Sequence, residues 1–92
     1  MKTKQDYEAR LNQQFELAQV PLTLELIEVS SVQAERVEDG RSEPFSAVFR
    51  ADNHDILEQG TYTLRNDGKG ADIFLVPIGP DDQGMCYEAI FT

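Results

Sequence analysis

Thr61-Tyr62-Thr63-Leu64-Arg65-Asn66-Asp67-Gly68-Lys69-Gly70-Ala71-Asp72-Ile73-Phe74-Leu75-Val76-Pro77-Ile78 holds two alternating runs joined by a turn dipeptide. Asp67-Gly68 suits the positive φ angles of a tight hairpin turn, since Gly lacks a Cβ and Asp tolerates the left-handed region. The flanking runs are rich in Thr, Tyr, Ile, Phe and Val, so strands 61–65 and 71–78 are expected to pair antiparallel. From Ile73 to Ile78 the second run is apolar on both parities. That pattern predicts a core strand, covered on two faces or lying at the centre of a closed sheet.

Working outward, Val20-Pro21-Leu22-Thr23-Leu24-Glu25-Leu26 alternates cleanly, with Pro21 at the start, where a missing N–H is tolerated. At Leu26-Ile27 the phase slips and Ile27 and Val29 continue on the opposite parity, which predicts a β-bulge or a bend. Phe45, Ala47 and Phe49 share one strand face, with Ser46 and Val48 on the other, before a loop over 52–59. Gly79 to Gly84 forms a turn into a last strand, in which Tyr87, Ala89 and Phe91 alternate with Cys86, Glu88 and Ile90. Near the start, Tyr7, Leu11 and Phe15 have helical spacing, while Phe15-Glu16-Leu17 has period two. A short helix or turn over 6–12 followed by a strand over 14–19 accommodates both. The polar stretch between Ser30 and Pro44, with its Asp39-Gly40 turn, is expected to be a long exposed connection. The whole predicts one all-β, mainly antiparallel domain over residues 1–92, a small sandwich or partly open barrel of about six strands.

The chain has 92 residues, of which 40% are hydrophobic and 27% charged, a composition that supports one folded core. Seventeen acidic against eight basic residues give a formal charge of -9. A field of that sign repels phosphate backbones and anionic headgroups, which argues against nucleic-acid and membrane partners. No run reaches the length of a membrane span, and Met1-Lys2-Thr3-Lys4-Gln5 leads into polar sequence and not into a signal peptide core. A cytoplasmic protein is expected, one that an assembly or virion can carry out of the producing cell.

The residues that bear chemistry are few. Cys86 lies between Met85 and Tyr87 and reads as a small buried hydrophobe; His54, the single histidine, lies in an acidic loop. One Cys and one His do not make a zinc site, and Ser30, Ser31, Ser42 and Ser46 have only distant His54 to activate them. The acidic groups Glu38-Asp39, Asp52 with Asp55, and Asp81-Asp82 lack the ligand spacing of a calcium loop. Asp81-Asp82, next to Pro80 and close to Gly79 and Gly84, is better explained as turn chemistry. Asp67-Gly68-Lys69-Gly70 lacks the spacing of a phosphate loop. No catalytic, metal or cofactor residue is therefore assigned. Arg41 and Glu43, which can make charge-assisted contacts ahead of Pro44, are the candidate interaction residues, together with Asp81 and Asp82. Glu88 is expected to pair with Arg50 or Arg65 across the sheet if it is buried.

Gly40-Arg41-Ser42-Glu43-Pro44-Phe45-Ser46 with Val48-Phe49-Arg50, then Gln59-Gly60-Thr61-Tyr62, Phe74-Leu75-Val76-Pro77-Ile78-Gly79-Pro80 and Met85-Cys86-Tyr87-Glu88-Ala89-Ile90-Phe91, resemble a family of small bacterial β-domains of unknown function. The resemblance spans about the last two-thirds of the chain. Cys86 departs from it, falling where that family carries assorted residues. Family members are stand-alone and often encoded beside phage-tail-collar-like or tail-fibre-like proteins. The resemblance thus implies a structural or adaptor role, by association with a phage tail or tail-like assembly, and carries over no catalytic residue.

Three functions follow as expectations. The first is a non-enzymatic structural or adaptor module that binds a protein partner or itself through sheet-edge or loop contacts. A ligand-binding barrel is the second, with a pocket lined by Phe45, Phe49, Tyr62 and Phe74. The third is a hydrolase that uses converging carboxylates.

Overall fold

The computed structural model describes residues 3–32, 44–53 and 56–91. One helix, α1 (Lys4–Glu8), precedes six strands: β1 (Gln14–Leu17), β2 (Thr23–Ser31), β3 (Phe45–Ala51), β4 (Gly60–Asn66), β5 (Lys69–Pro80) and β6 (Met85–Phe91). All six pair antiparallel in a closed barrel of order β1-β2-β3-β6-β5-β4. Two meanders, β1 to β3 and β4 to β6, are joined where β3 meets β6 and β1 meets β4. Of the architectures expected, this is the barrel, and it is shut. Every strand has two neighbours, but β1 is short: it pairs with β2 at Gln14, Phe15 and Glu16 and with β4 at Glu16 and Leu17, so among the described residues the stretch of β2 after Leu26 and that of β4 before Leu64 have a strand on one side only.

The 61–78 hairpin forms as read. Asp67 and Gly68 sit at φ 54° and 77°, and the ladder runs from Asn66↔Lys69 to Gly60↔Leu75. The remaining half of β5 pairs with β6, from Val76↔Glu88 to Pro80↔Met85, with a register skip at Ile78 and Gly79 at φ 114°. One long strand therefore serves two ladders in succession, the stagger that a tilted barrel strand requires. The phase slip at Ile27 is also real: the β2–β3 register shifts between Leu26 and Glu28. Before it Leu24 and Leu26 face inward; after it Val29 does, opposite buried Ala47.

Aromatic rings fill the interior. Phe15 and Phe49 meet edge to face at 5.4 Å, and Phe45 stacks on Phe91 at 4.6 Å. α1 closes that second end by setting Tyr7 5.5 Å from Phe45 and 4.9 Å from Phe91. The helix begins earlier than expected because Thr3 and Asp6 form a capping box, and turns continue it to Asn12, whose φ of 68° breaks it. Arg10 fixes this segment: its Nε donates to Asn66 Oδ1 (3.1 Å), and Asn66 Nδ2 donates to the Gln14 carbonyl (2.9 Å). Burial raises the pKa of the Tyr7 hydroxyl, with Asp6 adding to the effect. β1 stops at Leu17, short of the expected 19, where Leu17 N donates to the Leu22 carbonyl in a tight reversal.

One expectation about β5 is overturned. Ile73 and Leu75 are buried, but Phe74 and Ile78 stand 52% and 51% exposed. A strand of a closed barrel has a single interior face, and only α1 adds a helical layer among the described residues, so the second apolar parity of β5 is left on the outside.

Removing an interior ring leaves a cavity that the closed sheet cannot collapse around. Phe49→Ala should lower unfolding stability by about 3–5 kcal/mol, whereas Phe74→Ala should change it by no more than about 1 kcal/mol. Urea unfolding of both variants checks this; equal losses would mean that Phe74 is packed.

Candidate interaction surface

Two surface regions concentrate side chains of interest. One is the end of the barrel where β3 finishes and the Asp81–Gly84 turn returns the chain into β6. Asp81 accepts hydrogen bonds from the backbone N–H groups of Gln83 (2.8 Å) and Gly84 (3.0 Å), while Asp81 N donates to the Gly84 carbonyl. Arg50 Nη1 donates to the same carboxylate at 2.9 Å, and Nη2 lies 3.5 Å from Glu25. The turn lies so close to β3 that a Cβ on Gly84 would collide with the Ala51 carbonyl; glycine is obligatory there. The Gln83 and Gly84 N–H groups and the Arg50 guanidinium together hold the Asp81 carboxyl down to about 2, from an ordinary 3.8. Arg50 is raised in turn, first by its hydrogen bond to Asp81. Cys86, opposite Arg50 in the β3–β6 register, is buried, and that burial pushes its thiol up.

Of the expected interaction residues, Asp81 is therefore committed to its own turn and to Arg50, and Asp82 is exposed beside it. Arg41 and Glu43 lie outside the described residues, as do Glu38, Asp39, His54 and Asp55. Glu88, expected to pair with Arg50 or Arg65 if buried, is half-buried and paired with neither; Arg65 lies on β4. Val48, not Arg50, stands opposite Glu88, and Arg50 is turned to Glu25 and Asp81.

The four rings expected to line a pocket do not converge. Phe45 and Phe49 are buried in the packed interior, Tyr62 is half-buried with its hydroxyl donating to the Glu58 carbonyl, and Phe74 is outside. A cleft beside Glu25, Arg50 and Gln83 holds about 110 Å³, below the several hundred Å³ of ordinary ligand sites. A larger depression of about 270 Å³ under the β4–β5 turn is lined by Gln14, Glu16, Arg65, Asn66, Asp67 and Gly68, with no hydrophobic or aromatic residue among them. Among the described residues no three His, Cys, Asp or Glu side chains gather in a metal-binding group. No described helix is long and apolar enough to cross a membrane.

The second region is the outer face of β5, β6 and β3. Phe74, Val76 and Ile78 project outward from β5, Glu88 and Ile90 from β6, and Val48 from β3. Val76↔Glu88 and Val48↔Glu88 are register pairs, which puts Glu88 between two valines, with Ile90 two residues along its own strand. Phe74, Ile78 and Ile90 are each more than half exposed, and Val48, Val76 and Glu88 are half-buried. None of these six was singled out as an interaction residue from sequence. The signal was present in the two-parity apolar run Ile73 to Ile78, which carries one parity for the core and one for the surface.

A small closed antiparallel barrel with a packed interior and an apolar outer face defines the class of this protein. Over residues 2–91 the chain matches the family described as Domain of unknown function (DUF6916), and it belongs to that family. The match also takes in the amino-terminal third, including α1 and β1, where the motif resemblance was confined to a short stretch around Phe15 and Leu17. Comparison with curated proteins and with solved structures found no match.

The depressed Asp81 carboxyl sets a pH dependence. Its contribution to stability is fully present above the unfolded value near 3.8 and is lost as pH falls through about 2. Asp81→Asn should lower the thermal midpoint at pH 7, and its gap to the unsubstituted chain should narrow between pH 4 and 2; calorimetry across that window checks the sign.

Proposed function

We propose that this chain is a non-enzymatic structural or adaptor module that docks on another protein through the outer face of β5, β6 and β3. The observation that carries this reading is the cluster Phe74, Ile78 and Ile90, 52%, 51% and 53% exposed, on adjacent strands of one face. Large apolar side chains gathered on one surface usually mark contact with a partner, whereas single ones need no explanation. A barrel interior occupied by its own aromatic rings supports a function carried on the outside. The assembly served is a phage tail or phage-tail-like bacterial structure. Support for that half comes from the family resemblance, whose members are often encoded beside tail-collar-like and tail-fibre-like proteins.

Co-expression with a collar-like or fibre-like protein from such a gene neighbourhood tests both halves. A stoichiometric complex is expected by native mass spectrometry, and Phe74→Asp with Ile90→Asp should abolish it while leaving the far-ultraviolet circular dichroism unchanged. No complex, or one indifferent to both substitutions, would count against the reading.

A further inference from the structure

We infer that the occupant of this outer face is a cationic segment of another protein with one apolar side, such as a basic amphipathic helix, whose Lys or Arg meets Glu88. The inference rests on the reading of the face as an interface and adds the chemistry of what fills it.

Glu88 carries the argument. Its carboxylate stands between Val48 and Val76 and beside Ile90, and it is half-buried before anything docks. No described residue hydrogen-bonds or ion-pairs with it. Of the two arginines expected to pair with it, Arg50 is engaged with Asp81 and Glu25, and Arg65 lies on β4, two strands away from β6. An apolar partner that covered this face would strip the remaining water from an uncompensated charge, which opposes docking strongly. A partner that brings a cation replaces the lost hydration with a short ion pair.

Charge also selects against other occupants. Two copies packed face to face would bring two chains of charge -9 together and bury two Glu88 carboxylates in one dry contact. Anionic lipid is repelled by the same field, whereas a cationic partner is drawn in by it. The dimensions fit a helix. From Phe74 to Ile78 is four residues of strand, about 13 Å, and three strands spaced about 4.8 Å apart make a patch about 10 Å wide. Two turns of helix rise about 11 Å, with a comparable width.

The test titrates the isotope-labelled chain with three designed peptides of equal length, followed by amide shifts. One is a Leu/Lys amphipathic helix, one its Leu/Glu counterpart, and one a Ser/Lys peptide with the same charge as the first and no apolar side. The Leu/Lys peptide should bind at least about tenfold more tightly than either of the others and shift the amides of Val48, residues 74–78 and residues 88–90. Glu88→Gln should weaken it several-fold, Glu88→Lys should reverse the preference in favour of Leu/Glu, and Phe74→Ser should weaken both leucine peptides. If Phe74→Ser acts and neither Glu88 substitution does, the cationic partner is wrong and the interface reading survives. If the shifts fall elsewhere, or the Ser/Lys peptide binds as well as Leu/Lys, both fail. A dimer in sedimentation equilibrium that Phe74→Ser dissolves would make a second copy the occupant and overturn the inference.

Discussion

Closure of the sheet is the constraint on which the rest of this structure depends. When β1 pairs with β4 and β3 with β6, every strand acquires one interior face and one exterior face. The interior of six strands is narrow enough to be filled by side chains. Phe15 against Phe49 and the Tyr7, Phe45 and Phe91 group fill it here. The bends that closure demands are made by the β2 register shift at Ile27 and the β5 shift at Ile78, each of which adds one unpaired residue and changes the direction of its strand.

The two ends are finished by different chemistry. At one, α1 lowers Tyr7 onto the rings of Phe45 and Phe91, and the Arg10–Asn66 bond ties the helical segment to the sheet. At the other, Arg50, Asp81 and the tight approach of Gly84 to Ala51 fasten the β5–β6 turn against β3. Asp81, one of the acidic residues that invite a functional reading in the sequence, is here spent on structure. It bonds two backbone N–H groups and a guanidinium, as a turn carboxylate does.

Much of the fold could be read from local pattern. Asp67-Gly68 announced its hairpin because positive φ is a property of single residues, and the slip at Leu26-Ile27 announced its bulge because strand parity is countable. Whether the sheet shut was not local: it depends on β1 meeting β4 and β3 meeting β6, and no short window of sequence carries those pairings. The same gap hid the exposed apolar face. Phe74, Val76 and Ile78 looked like the second covered face of a core strand, and only closure shows that face to be exterior. Glu88 was rightly placed on a strand, but its partner was sought in Arg50 or Arg65; Arg50 stands two register pairs along β3, opposite Cys86, and is held by Asp81 and Glu25, and Arg65 lies on β4.

The central claim is that recognition by this barrel takes place on its outside. Amide-shift mapping of the labelled chain against a library of small apolar fragments tests it most directly. Shifts confined to Val48, residues 74–78 and residues 88–90 are the result this account predicts. Saturable shifts at Phe15, Leu26, Phe49 and Leu64, whose side chains point into the barrel, would contradict it by revealing an interior that opens to ligand.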